Sequence, residues 1–203
     1  MADTELYTRR RLGLFQALAY AADDPLVAVV GPATGDELTA FAKGVRRPHP
    51  LRKGSAAGSV LCFHGPNVGR QVRAAQRSIV NYTARTTARI STPIALVVRF
   101  VQAADAERGR WQTEIARLQR AGPMRFGLIC HMGNYPKGQD AMARRDLDLL
   151  MPMMSDRTML VLCGMERTRP QRLLRSLLAN GGWSTLWWQS LGLAALGRLP
   201  FAS

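Results

Sequence analysis

The sequence predicts a mainly α protein: a single helical domain with a basic groove, room for a few short strands, and an apolar C-terminal helix or arm. Three observations predict it. Several segments repeat apolar residues at helical spacing, the stretches between them are rich in Gly and Pro, and cations gather on one side of the longest amphipathic segment. With 203 residues the chain is long enough to bury a core. The expected division is a helical core over 1–182 and an apolar segment over 183–203.

Leu6 to Ala22 has helical spacing, with Leu12, Phe15, Leu18 and Ala19 on one side. A second helix is expected from Gly35 to Lys43, because Thr34 and Glu37 stand in the capping-box positions ahead of Leu38 and Phe41. Arg46 to Gly58 holds two prolines, two glycines and four cations and reads as an exposed basic loop. Asn67 is a plausible cap for a helix over Val68 to Arg85. Thr92-Pro93 opens a pattern that runs towards Arg120, with a break near Gly109. Met124–Met132 and Met159–Cys163 are short apolar runs that fit a strand or a buried helix equally. Helices are expected over Gln139–Met151, Pro170–Ala179 and Thr185–Leu196.

Charge is the dominant global feature. The chain carries 28 Lys+Arg against 14 Asp+Glu, a net +14, with a pI near 11.2. No acidic residue occurs between Leu38 and Ala104, a span that holds Lys43, Arg46, Arg47, Arg52, Lys53, Arg70, Arg73, Arg77, Arg85, Arg89 and Arg99. Such a run repels itself unless an anion is near. On the helix expected from Val68, Arg70, Arg73, Arg77 and Arg85 share one face while Val72, Ala75 and Ile79 share the other.

The segment GPNVGRQ, Gly65 to Gln71, resembles the phosphate loop of translation-type GTPases and mismatch-repair ATPases, in which a PNxG turn precedes a lysine and a hydroxyl residue. That resemblance implies a nucleotide-hydrolysing enzyme. The leading glycine position is His64, the lysine position Arg70 and the hydroxyl position Gln71, so the atoms that reach phosphate and magnesium are replaced. A phosphate contact made by the start of that helix with Arg70, Arg73 and Arg77 fits these residues better.

Other chemistry finds little footing. Cys62, His64, Cys130 and His131 lack the repeated tight spacing of a zinc site, and all three cysteines lie in apolar runs, which suits buried thiols. The close acidic groups are Asp23-Asp24, Asp36-Glu37, Asp105-Glu107 and Asp146-Asp148, and the last three adjoin a helix start or arginines. The runs VLCFHG, LICHMG and LVLCGM look alike but are unevenly spaced. The expectation is no enzyme, no cofactor and no metal. The apolar end, with Trp183, Trp187, Trp188 and Leu191, reads as a core helix or as a contact between subunits.

The function expected on these grounds is non-enzymatic, sequence-independent binding and packaging of single-stranded RNA by many copies, as in a viral coat or nucleocapsid protein. Arg46, Arg47, Arg52, Lys53, Arg70, Arg73, Arg77 and Arg85 would line its groove. The alternatives are a small RNA-binding subunit of a ribonucleoprotein and a degenerate phosphate-loop nucleotide enzyme. The expected location is the virion, or else the cytoplasm, with self-association into an oligomer or filament and without a membrane span.

Overall fold

The computed structural model describes residues 2–24, 26–46, 58–65, 68–86, 98–102, 109–122, 124–133, 140–189 and 191–198. Seven strands form one sheet: β1 (Leu26–Val30), β2 (Ser59–His64), β3 (Val98–Gln102), β4 (Phe126–His131), β5 (Met154–Cys163), β6 (Trp183–Gln189) and β7 (Leu193–Arg198). Their order is β3-β2-β1-β4-β5-β7-β6. The first five are parallel, and β7 runs antiparallel to both β5 and β6.

Six helices cover the sheet among the described residues. One core cluster joins α1 (Ala2–Ala21), α2 (Gly35–Arg46) and α3 (Gly69–Thr86) to one face through Phe15, Leu38, Phe41, Ala75 and Ile79. The other joins α4 (Gly109–Ala121), α5 (Asp140–Leu150) and α6 (Thr168–Ala179) through Trp111, Ile115, Leu147, Leu150, Leu173 and Leu177. Strand residues alternate between them: Val27 and Val29 belong to the first cluster, Leu26, Ala28 and Val30 to the second. A parallel strand covered on both faces has no polar side, so it appears as an unbroken apolar run.

The chain is therefore a mixed α/β protein, and the expectation of a mainly α domain is corrected. Met124–Met132 and Met159–Cys163, equally compatible with either element, fall in β4 and β5. The look-alike runs VLCFHG, LICHMG and LVLCGM are the ends of β2, β4 and β5, alike because they share one environment. The helix expected from Thr92 is also corrected: 98–102 is a strand and the helix begins at Gly109. Residues 91–97 lie outside the described residues. The helix expected over Thr185–Leu196 is instead the β6–β7 hairpin. A register shift between Thr185 and Trp187 breaks the alternation of β6, so the sequence hides its period of two. Tryptophan and threonine fill that strand as sheet propensity favours.

Close packing fixes the helices that matter below. A Cβ on Gly44 of α2 would overlap the Gln16 carbonyl oxygen of α1, and one on Gly35 would overlap the Ser78 side chain of α3. Both glycines therefore let backbones approach where any larger residue would push them apart. Arg99, within the acid-free run, pairs at 3.1 Å with Glu114 of α4, so the fold brings it a distant acid. Hydrogen bonding from Arg117 holds the Glu114 carboxyl below its usual range, against partial burial and with help from Arg99. No helix among the described residues is long and apolar enough to cross a membrane.

Candidate active-site cleft

The chain leaves β1 towards β2 on one side, while β4 is laid on the other, so the strand order reverses between β1 and β4. In open α/β sheets a crevice forms at the carboxyl ends of the strands at such a point, because the loops diverge. Here β1 ends in Val30, and Gly31 turns the chain with φ of +96°. Gly31 N–H donates to the Phe63 carbonyl of β2 at 2.8 Å, and Met132 N–H of the β4 side donates to the Val30 carbonyl at 2.9 Å. Neighbours on both flanks thus hold the turn, and Pro32, Ala33 and Thr34 lead into α2.

The start of α2 is locked by the predicted capping box. Thr34 N–H and hydroxyl donate to Glu37 Oε2 at 2.9 and 3.1 Å, and Glu37 N–H donates to Thr34 Oγ1 at 3.2 Å. The other carboxylate oxygen of Glu37 meets the Arg11 guanidinium of α1 at 3.2 Å. Across the reversal, β4 ends in His131 and is followed by Gly133, with φ of +68°. A Cβ on Gly133 would overlap the Cys163 carbonyl oxygen at the end of β5.

Above these strand ends lies an open cleft of about 840 Å³. One wall is the loop from Pro32 to Asp36, the other is the side of α3 bearing Gln71, Ala74 and Ser78, and Arg167 contributes from the loop after β5. The loop builds one wall of the site, and the sequence expectation gives it only a helix start and no binding role. Its signal is LVAVV followed by Gly31, Gly35 and the capping box, a buried strand running through a glycine turn into a helix start.

The strand ends carry two buried neutral histidines. His131 Nδ1 accepts from Gly133 N–H at 3.2 Å, so that nitrogen is unprotonated, and burial lowers its pKa to about 4. Burial also lowers that of His64, opposed by the hydrogen bond its Nδ1–H donates to the Gly65 carbonyl at 3.2 Å. The three cysteines are buried thiols, as expected. Burial pushes Cys62 up to about 12, and Cys130 lies 3.5 Å from Cys163 with its own pKa raised by burial and by that contact. Such thiols are poor nucleophiles. No group of three or more His, Cys, Asp or Glu able to hold a metal occurs among the described residues.

The residues expected to line a groove are described only in part. Arg70, Arg73 and Arg77 do share the exposed face of α3. Arg46 closes α2 and Arg85 lies near the end of α3, but their side chains are outside the described residues, as are Arg47, Arg52 and Lys53 altogether. Trp187 and Leu191 pack against the first core cluster and Trp183 against the second. Trp188 lies on β6, its side chain undescribed. The Tyr7 hydroxyl of α1 donates to the Leu191 carbonyl at 2.7 Å, so the hairpin turn folds onto its own chain. Asp146, whose neighbours in sequence include Arg144 and Arg145, is buried.

No family model and no curated protein sequence matches the chain. Solved structures do. An O-methyltransferase from Bacillus cereus in complex with SAH aligns with a TM-score of 0.60 at 12% identity, over 93% of this chain and 81% of that one. TomG from Streptomyces achromogenes, an O-methyltransferase involved in tomaymycin synthesis and bound to SAM, aligns at 0.60 and 10%, over 94% and 80%. A methyltransferase from Geobacter sulfurreducens aligns at 0.59 and 16%, over 98% and 88%. The chain shares the fold of these methyltransferases. That finding overturns the expected non-enzymatic, RNA-packaging coat protein and its filament: the fold is one shared with enzymes.

Proposed function

We propose that the chain is a methyltransferase that takes its methyl group from S-adenosylmethionine and delivers it to an oxygen atom of a small acceptor. The observation that carries this reading is the cleft at the strand-order reversal, built on the Gly31 turn. The methyltransferase neighbours, two of them described as holding SAH or SAM, support it.

The residues present fit the cofactor. A ribose diol and an ammonium group need acceptors, which the cleft supplies in the Asp36 carboxylate, the Thr34 hydroxyl and the carbonyls of the Pro32–Asp36 loop. Ala74 and Ala75 keep the opposite wall low enough for a planar base. The cofactor supplies an electrophilic methyl group when bound. The chain's own contribution is placement. Loop and helix are fixed by the capping box, the Gly35–Ser78 contact and the Arg11–Glu37 pair, so two reactants held there meet in one geometry. His131 is not the general base, since its Nδ1 is engaged and its pKa lies far below neutral.

Calorimetric titration with S-adenosylhomocysteine tests the reading. The expected result is one site per chain, weakened at least tenfold by Gly31→Val, which puts a branched side chain at a positive φ. Folded protein that binds neither S-adenosylhomocysteine nor S-adenosylmethionine at millimolar concentration overturns it. Transfer of a labelled methyl group to a panel of hydroxyl acceptors then identifies the acceptor.

A further inference from the structure

Arginines gather on the rim of the cleft, and methyl transfer alone does not account for them. At about 100° per residue, Arg70, Arg73 and Arg77 of α3 fall within an arc of about 60°, and the cleft-lining Ala74 and Ser78 begin about 40° further round. The three are exposed and form no ion pair among the described residues. Arg73 folds back along the helix, with its Nη1 3.6 Å from the position a Cβ on Gly69 would take, so its guanidinium lies beside the first turn of α3, at the end of the helix nearest the strand ends. Arg167 stands in the cleft wall itself. Against these four cations the cleft lining offers one carboxylate, Asp36, and Arg167 has Glu166 at 3.8 Å.

We propose that the acceptor is a phosphorylated small molecule, whose phosphate is held by Arg70, Arg73 and Arg77 at the rim and by Arg167 across the mouth, with its hydroxyl turned into the cleft. This rests on the methyltransferase reading and names the substrate class of that site. A guanidinium offers paired N–H donors in a plane, which match two phosphate oxygens at once. A cleft edged by one sign of charge concentrates ligands of the opposite sign. The asymmetry of the cleft supports the division of labour: the loop wall presents a carboxylate and a hydroxyl suited to a cationic cofactor, while the α3 rim presents cations suited to an anion.

Inorganic pyrophosphate is the probe, titrated at moderate ionic strength into protein with and without saturating S-adenosylhomocysteine, with citrate at matched charge in a parallel arm. The expected result is one pyrophosphate per chain, bound at least tenfold more tightly than citrate. Arg73→Glu with Arg77→Glu should weaken it at least tenfold while S-adenosylhomocysteine affinity stays within twofold of the parent, and Arg167→Gln should weaken pyrophosphate binding about threefold. Equal retention of citrate, or pyrophosphate binding untouched by these variants, overturns the proposal. Absence of S-adenosylhomocysteine binding by the parent chain sinks the methyltransferase reading instead, whichever way the pyrophosphate arm turns out. Unchanged circular dichroism and melting temperature in each variant tie the loss to the rim, and Arg77→Lys should recover part of it.

Discussion

The five parallel strands and the C-terminal hairpin make up one sheet, yet they do different work. Strands β1, β2, β4 and β5 end along one edge of the sheet, in turns that include Gly31, Gly133 and Gly164, all at positive φ. Beyond β5, β7 runs the opposite way, and the β6–β7 hairpin extends the sheet and covers core. One region must hold backbone turns to a fraction of an ångström, whereas the other need only fill space. Changes in the first should cost both stability and ligand binding, and changes in the second should cost stability alone.

The largest expected effect belongs to Gly133→Val. A side chain there meets the Cys163 carbonyl at a backbone φ of +68°, so stability should fall by about 3 kcal/mol or more, read from the urea midpoint. A drop of less than about 1 kcal/mol would show that the β4 turn can retreat from β5, and the contrast with the hairpin would weaken.

Acid titration should reveal nearly as much. His131 is protonated less readily when folded, with a pKa of about 4 against 6.5 for a free imidazole. Its contribution is therefore complete above pH 6.5 and is lost as pH falls towards 4, for a total of roughly 3 kcal/mol. His64 acts in the same direction. His131→Gln should flatten the stability profile across that window, and an unchanged profile would place a polar or charged neighbour around the ring.

In the hairpin, Trp187→Ala should remove about 2 kcal/mol, less than a fully buried aromatic would, because the indole is only partly covered. S-adenosylhomocysteine affinity should not move, and a tenfold loss there would erase the distinction between the two regions. The smallest effect is expected for Thr34→Ala: the cap is worth about 1 kcal/mol, measured by thermal unfolding, and cofactor affinity should fall with it because the loop wall loses its brace.

Legibility in the sequence followed the same boundary. Helices with one wet face announce themselves: the Thr34–Glu37 box, the arginine face of α3 and the helix end at Ala179 all stand in the structure. The strands do not, because LVAVV and FGLICH are buried on both sides and carry no alternation to read. The hairpin misled through its register shift near Leu186, which spaces the tryptophans and leucines as a helix would. The cleft was partly visible. Arg70, Arg73 and Arg77 stand out in the sequence by their charge, but a run of cations does not say whether its anion is a polymer or a small molecule. That depends on what stands beside α3, namely the Pro32–Asp36 loop, which only the sheet order brings there. Arg99 shows the same limit, since its partner Glu114 lies outside any sequence window that would reveal it.

The place of β1 in the middle of the sheet has a consequence for how the protein is made. Its two neighbours are β2 and β4, and the second begins at Phe126, a hundred residues after Leu26. At ordinary synthesis speeds that is about 5 to 20 seconds during which a nascent chain carries a ready strand with one bare, greasy flank. Chaperone supply and the pace of translation, more than the durability of the finished molecule, should then govern how much of it is recovered intact from an expressing cell.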